Sequence, residues 1–131
     1  DVFIVEDEDL VEISMGISEG TRLDGDWKEE LLFDEPIRPE GESPKQVMER
    51  SVRAIDRIVV ENPEKSVLVV CHAGVKRMLS MHLRDHTWDE VKDLRFGNTS
   101  LSIFSLINGG KIEKLFNCTA HLDDDGLAWK G

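Results

Sequence analysis

Residues 66–79 read SVLVVCHAGVKRML: an apolar run, a histidine, two small residues and the start of an amphipathic helix. The five uninterrupted apolar residues 67–71 predict a strand that is buried on both faces of a parallel sheet. In open α/β sheets, ligands bind outside the carboxyl ends of the strands, beside helix N-termini whose free N–H groups attract anions. The pattern therefore predicts an anionic substrate beside His72.

The composition is that of one globular domain, residues 1–131, with a formal net charge of −11 from 16 Lys+Arg and 27 Asp+Glu. This acidic balance argues against nucleic acid or an anionic membrane as a partner, but a pocket with local positive charge can still bind a small phosphorylated substrate. No apolar run is long enough to span a membrane and no signal peptide opens the sequence. Cys71 and Cys118 are too few for a disulfide framework, so we expect a cytoplasmic protein; the oligomeric state stays open.

The remaining patterns alternate between helix and strand, which predicts an α/β fold. Capping motifs open three of the predicted helices, and a turn-forming sequence at residues 108–110 joins the last two strands. Helices are predicted at residues 26–33, 43–62 and 87–94, and a further helix after His72 has Val75, Met78, Leu79 and Leu83 as its buried stripe. Strands are predicted at residues 2–5, 67–71, 101–107 and 111–116, with an acidic loop at 6–9, an ordered loop at 10–20 and a solvated tail at 123–126.

His72 has two interpretations on spacing alone. A histidine at a strand end can be a hydrogen-bonded surface residue, or it can form an anion site with the free N–H groups beside the small residues Ala73 and Gly74. Arg77, one helical turn beyond Ala73, either faces this site or is an ordinary solvated residue. Neither Glu12, His72 nor the acidic tail shows metal-ligand spacing, so no metal site is expected.

Residues 69–77, VVCHAGVKR, resemble the second histidine motif of the histidine phosphatase superfamily, the phosphoglycerate-mutase-like or branch 1 enzymes. Three further segments agree with that family in order and spacing, so the resemblance covers nearly the whole chain. They are LVEI at 10–13 with Gly16, Glu19 and Gly20, similar to the family's acid-carrying loop; GES at 41–43 with Arg50 on the following helix; and FGNTS at 96–100 with Asn117, His121 and Leu122.

The resemblance implies a three-layer α/β/α sandwich that hydrolyses phosphomonoesters through a phosphohistidine, without a metal or other cofactor. His72 corresponds to the second histidine, which stabilises charge on the phosphoryl oxygens, and the Ala73 N–H to a phosphate contact. Glu12 corresponds to the general acid that protonates the leaving alkoxide. Arg22, Arg38 and Lys76 are candidates for binding a distal anionic group of the substrate, or else ordinary surface charges.

One part of the family pattern does not occur here. The family's nucleophilic histidine lies in an Arg-His-Gly motif after the first strand, and neither Arg-His nor His-Gly occurs among residues 1–131, whose histidines are His72, His82, His86 and His121. We therefore expect the first strand, its helix and the next arginine-bearing segment to lie outside this chain, which opens at Asp1 as if in mid-strand, and we expect the chain alone to be inactive. The alternatives are a catalytically inactive binding or regulatory domain, phosphoglycerate-mutase-type phosphoryl transfer, and an unrelated α/β domain that binds an anion at the His72 turn.

Overall fold

The structure is a computed structural model that describes residues 3–21, 32–107 and 109–122. It combines helices with a small two-stranded antiparallel sheet, which is compatible with an α/β fold. The helices are α1 (Pro44–Glu61), α2 (Ala73–Arg84) and α3 (Trp88–Val91); the strands are β1 (Leu101–Ile107) and β2 (Gly110–Cys118); short 3₁₀ turns lie at Glu8–Leu10, Gly16–Ser18 and Ala120–Leu122.

Helix α1 begins where its sequence predicts, because the capping box forms. The Ser43 hydroxyl accepts a hydrogen bond from the Gln46 N–H, and the Gln46 side chain accepts one from the Ser43 N–H. Pro44 occupies the first turn, where its missing N–H costs no helical hydrogen bond. The helix ends at Glu61, just before Asn62 and Pro63, so the predicted helix is confirmed.

The core lies between α1 and α2. Its buried cluster takes one face of each helix: Val47 and Ile55 from α1, and Val75, Met78 and Leu79 from α2. The spacing of these residues is helical, as the sequence predicts, so each helix presents one apolar stripe to the other.

The carboxyl-terminal part of the chain follows the prediction with one shorter helix. Strands β1 and β2 pair as an antiparallel hairpin, with Ile107 opposite Gly110. Helix α3 has its predicted capping box at Thr87 but ends at Val91 rather than near Leu94. The Leu94 N–H bonds to the Val91 carbonyl at 2.9 Å, which closes a turn instead of continuing the α-helical ladder.

The buried strand predicted at residues 67–71 is wrong for this structure. Residues 66–72 form no strand, and the side chains of Leu68 and Val70 are about four-fifths exposed. Val69 and Cys71 pack against the helical core cluster, so only one side of the segment is covered. A strand exists only through hydrogen bonds to a neighbouring strand, and within the described ranges the only ladder joins β1 to β2.

The strand predicted at residues 2–5 is also absent from the described residues. Residues 3–5 are exposed and form no strand, because no described segment pairs with them, and residue 2 lies outside the described residues. Most of the helix predicted at 26–33 and all of the tail at 123–126 also lie outside them, while residues 32 and 33 are not helical. No helix in the described ranges has the length and apolar character that a membrane crossing requires.

We predict that Val75→Ala lowers the free energy of unfolding by about 2 kcal/mol, because it removes two buried methyl groups and leaves a cavity. Val60→Ala is the matched control, since Val60 is 78% exposed on α1 whereas Val75 is fully buried on α2. Urea unfolding of both variants measures the difference. Equal losses from the two substitutions would show that the α1–α2 core is misplaced.

Candidate active site

The first turn of α2 contains the predicted residues His72 and Ala73. His72 is the N-cap residue, with an extended backbone (φ −96°, ψ 168°), and its side chain makes no capping hydrogen bond. Both residues are exposed. The imidazole therefore lies at a helix N-terminus, where first-turn N–H groups have no partner within the helix and attract negative charge.

Glu12 reaches the same turn from the amino-terminal loop, 62 residues away in sequence. One carboxylate oxygen accepts a hydrogen bond from the Gly74 N–H at 3.4 Å, and the other accepts one from the Ile13 N–H at 2.9 Å. A Cβ atom at residue 74 would overlap the Glu12 carboxylate, so a side chain there would displace the end of the Glu12 side chain from this position. The structure thus brings Glu12 against the turn that follows His72.

Arg50, which is buried on α1, contacts the loop that carries Glu12. Its guanidinium donates to the backbone carbonyls of Asp9 and Val11 at 2.8 Å each, and to that of Glu12 at 3.2 Å. The same group makes a two-pronged ion pair with Glu42, at 2.8 and 2.9 Å.

Glu42 adds a second attachment to the same loop. Its carboxylate accepts the Ser14 N–H at 2.9 Å, and its own N–H donates to the Ser14 carbonyl at 3.0 Å. The hydrogen bond from Arg50 is the main reason that the pKa of Glu42 is lowered, against the opposing effect of burial. Glu42 and Arg50 lie in segments that resemble the family, but no role was predicted for either; the available signal was their eight-residue spacing across a helix start.

Two cationic side chains of α2 donate hydrogen bonds to the segment between α3 and β1. Lys76 donates to the carbonyl and the hydroxyl of Ser100, at 2.7 and 2.6 Å, and burial lowers its pKa. Arg77 donates to the Leu94 carbonyl at 3.1 and 3.0 Å. Burial also lowers the pKa of Arg77, while the negative charge of Glu12 acts in the opposite direction, so Glu12 and Arg77 are within electrostatic range of each other.

The other predicted residues lie as follows. Arg38 is half-buried in the turn before α1, where its carbonyl accepts the Gly41 N–H at 2.9 Å, and Arg22 lies outside the described residues. His82 and His86 line an open groove between α1 and α2, and the His121 ring lies 3.3 Å from the Thr99 hydroxyl. In the part of the chain that the structure describes, no three His, Cys, Asp or Glu side chains are grouped as metal ligands.

Comparison with protein-family models matches residues 1–119 to the histidine phosphatase superfamily (branch 1). Neither the curated proteins nor the solved structures gave a match. Because the family model covers most of the 131 residues, this chain belongs to the histidine phosphatase superfamily, branch 1, as its motifs indicated. Membership indicates phosphatase- or mutase-type phosphoryl transfer.

We predict that Glu42→Gln destabilises the chain by about 1.5–3 kcal/mol at neutral pH, the usual contribution of a hydrogen bond to a charged group. Because the folded pKa of Glu42 is lowered, its stabilisation is fully present above the ordinary glutamate value of about 4.5 and is lost as the pH falls through the folded pKa. Urea unfolding of both proteins at several acidic and neutral pH values should therefore show the difference shrinking in acid. A difference that does not change with pH would contradict the assignment.

Proposed function

We propose that this chain forms most of a cytoplasmic phosphomonoesterase that hydrolyses a small phosphorylated substrate through a phosphohistidine intermediate. His72 and the Ala73 N–H bind the phosphoryl group, Glu12 is the general acid, and the nucleophilic histidine comes from a segment outside residues 1–131. The observation that carries the proposal is the meeting of the Glu12 carboxylate with the first turn of α2, directly after His72. The family assignment supplies the reaction class.

The segment at residues 66–72 supports the proposal that a further strand pairs with it in the complete domain. Its apolar side chains Leu68 and Val70 face outward, and its backbone pairs with no described strand. An apolar segment with unpaired backbone groups is a template for a further strand. A strand added there would carry its terminal residues to the edge where His72 lies, and would extend the fold towards the three-layer α/β/α sandwich that we propose for the complete domain.

The proposed reaction has two steps. The nucleophilic histidine attacks phosphorus, the bond from phosphorus to the substrate oxygen breaks, and Glu12 gives its proton to the departing oxygen. A water molecule then attacks the phosphorus of the phosphohistidine and loses its proton to Glu12. The bond from phosphorus to the histidine nitrogen breaks, which releases inorganic phosphate and regenerates the histidine. His72 stabilises the charge on the phosphoryl oxygens in both steps.

Hydrolysis fits better than mutase-type transfer. A mutase must retain its substrate while the substrate turns over in the site, and the segment at residues 21–39 is short for that purpose. Lys76, one candidate for a distal substrate contact, has its ammonium group engaged by Ser100. We therefore assign the phosphoryl group, rather than a distal anion, as the part of the substrate that these residues recognise.

The mechanism is tested with the longest natural reading frame that contains these residues. We expect it to encode a strand followed by Arg-His-Gly upstream and to hydrolyse p-nitrophenyl phosphate. When the reaction with a substrate labelled in its phosphoryl group is quenched rapidly, we expect the protein to carry label that survives alkali but not acid. A frame that lacks any such histidine would instead favour a catalytically inactive binding domain. An active protein that never traps label would refute the phosphohistidine.

In that protein, we predict that His72→Ala lowers kcat/KM by ~10²–10³-fold, the usual cost of removing one preorganised donor to a developing charge. His82→Ala is the matched control, because His82 lies on the same helix but lines the groove shared with α1. Steady-state kinetics with p-nitrophenyl phosphate measures both. Near-normal turnover in His72→Ala would show that His72 does not stabilise the phosphoryl group.

Glu12→Gln should affect substrates unequally. We predict a loss in kcat/KM of ~10²–10⁴-fold for an alkyl phosphate, whose leaving alkoxide needs a proton, and a much smaller loss for p-nitrophenyl phosphate, whose leaving group is stable as an anion. The parameter kcat/KM reports only the steps up to release of the alcohol, so it isolates this proton transfer. Equal losses for both substrates would show that Glu12 is not the general acid.

A further inference from the structure

We propose that the Glu42–Arg50 ion pair is a positioning device for Glu12: it fixes the backbone on both sides of Glu12, so that the carboxylate is held over the first turn of α2. The inference rests on the proposed role of Glu12 as general acid. It assigns to Arg50 and Glu42 a part in the reaction although neither touches the phosphoryl group.

The hydrogen bonds of Arg50 account for its whole donor capacity. A guanidinium carries five N–H groups, and five hydrogen bonds leave Arg50: two to the Glu42 carboxylate and three to backbone carbonyls of the loop. The planar group has one orientation that satisfies all five acceptors. A loop held this way has little freedom to slide along α1.

The attachments bracket Glu12 in sequence. Arg50 donates to the carbonyls of Val11 and Glu12. Glu42 accepts the Ser14 N–H with its carboxylate and donates its own N–H to the Ser14 carbonyl. Residues 11–15 belong to no helix or strand, so these contacts take the place of regular backbone pairing. From this fixed backbone, the Glu12 side chain extends to the Ile13 and Gly74 N–H groups.

Close backbone packing just beyond Glu12 also holds the loop in place. The Ile17 N–H bonds to the Pro39 carbonyl at 3.2 Å, next to the exchange between Ser14 and Glu42. Gly16 has φ 53°, and a Cβ atom there would overlap the backbone of residues 39–41. The two loops therefore approach too closely for a side chain at Gly16, which fixes their separation.

Other ion pairs hold the same loop without reaching Glu12. Arg53 and Arg57, further along α1, pair with the side chains of Asp9 and Asp7 at the start of the loop. Both arginines are partly exposed, and such surface pairs contribute little to stability. They attach the loop to the helix, whereas Arg50 alone among these three arginines bonds to the backbone of Glu12.

A spectroscopic experiment tests the positioning without requiring catalysis. In the longest natural form, labelled with ¹⁵N, the Gly74 amide is followed as the pH is lowered, and the part of its titration that disappears in Glu12→Gln is the contribution of the Glu12 carboxylate. We expect this contribution to be lost in Glu42→Gln and in Arg50→Lys, each compared with its own Glu12→Gln double variant. Arg53→Gln, the matched control, should retain it.

Glu42→Gln keeps the test decisive if Arg50→Lys fails to fold, because glutamine preserves the size and one oxygen of the side chain. A folded Glu42→Gln protein with an undiminished Glu12 contribution at Gly74 overturns the proposal. So does a wild-type protein whose Gly74 amide is insensitive to Glu12.

The kinetic counterpart separates positioning from general damage. We expect Glu42→Gln to lower kcat/KM for an alkyl phosphate by about 10–100-fold, as small displacements of a catalytic group do, with little change for p-nitrophenyl phosphate. Equal losses on both substrates would indicate disruption of the phosphate pocket and would overturn the assignment. If the wild type hydrolyses neither substrate, the proposed function fails, but the amide titration still decides whether Glu42 and Arg50 position Glu12.

Discussion

The buried guanidinium of Arg50 is the constraint on which the described structure depends. A guanidinium removed from water needs an acceptor for each of its N–H groups, and α1 alone cannot supply five acceptors. Glu42 supplies two and the amino-terminal loop supplies three, so the loop has to lie along the helix in one register. The capping box at Ser43 fixes where α1 starts, and therefore where Arg50 meets Glu42. The position of the loop thus follows from the position of one side chain.

This arrangement gives two neighbouring carboxylates different tasks. Glu42 is committed to Arg50, which lowers its pKa and keeps it ionised as a structural anion. Glu12 is exposed, and the hydrogen bonds to its carboxylate come from two backbone N–H groups, those of Ile13 and Gly74. The two settings fit the parts that we propose for these residues, Glu42 in positioning and Glu12 in proton transfer at the α2 N-terminus.

The sequence predicted best the features that depend on neighbouring residues. Helix α1, the apolar faces of α1 and α2, and the hairpin of β1 and β2 all follow from capping residues, periodicity and turn residues, and all occur. The strand predicted at residues 67–71 does not form, because strand formation depends on a pairing partner, and the described residues supply none for this segment. The contacts of the candidate site could not be predicted from local patterns either. Glu12 and Gly74 are 62 residues apart in sequence, and the hydrogen bonds from Arg50 to the loop join residues about 40 apart. Family motifs pointed to Glu12 and His72, but nothing local indicated that Arg50 bonds to the backbone of the loop that carries Glu12.

The most direct test of the central claim is a crystal structure of the longest natural form with tungstate, a phosphoryl mimic, bound. We expect the oxyanion within hydrogen-bond distance of the His72 imidazole and the Ala73 N–H, with the Glu12 carboxyl beside it and Arg50 still bonded to the Glu12 carbonyl. An oxyanion bound elsewhere, or one bound at the α2 N-terminus with Glu12 turned away from it, would refute the proposed site.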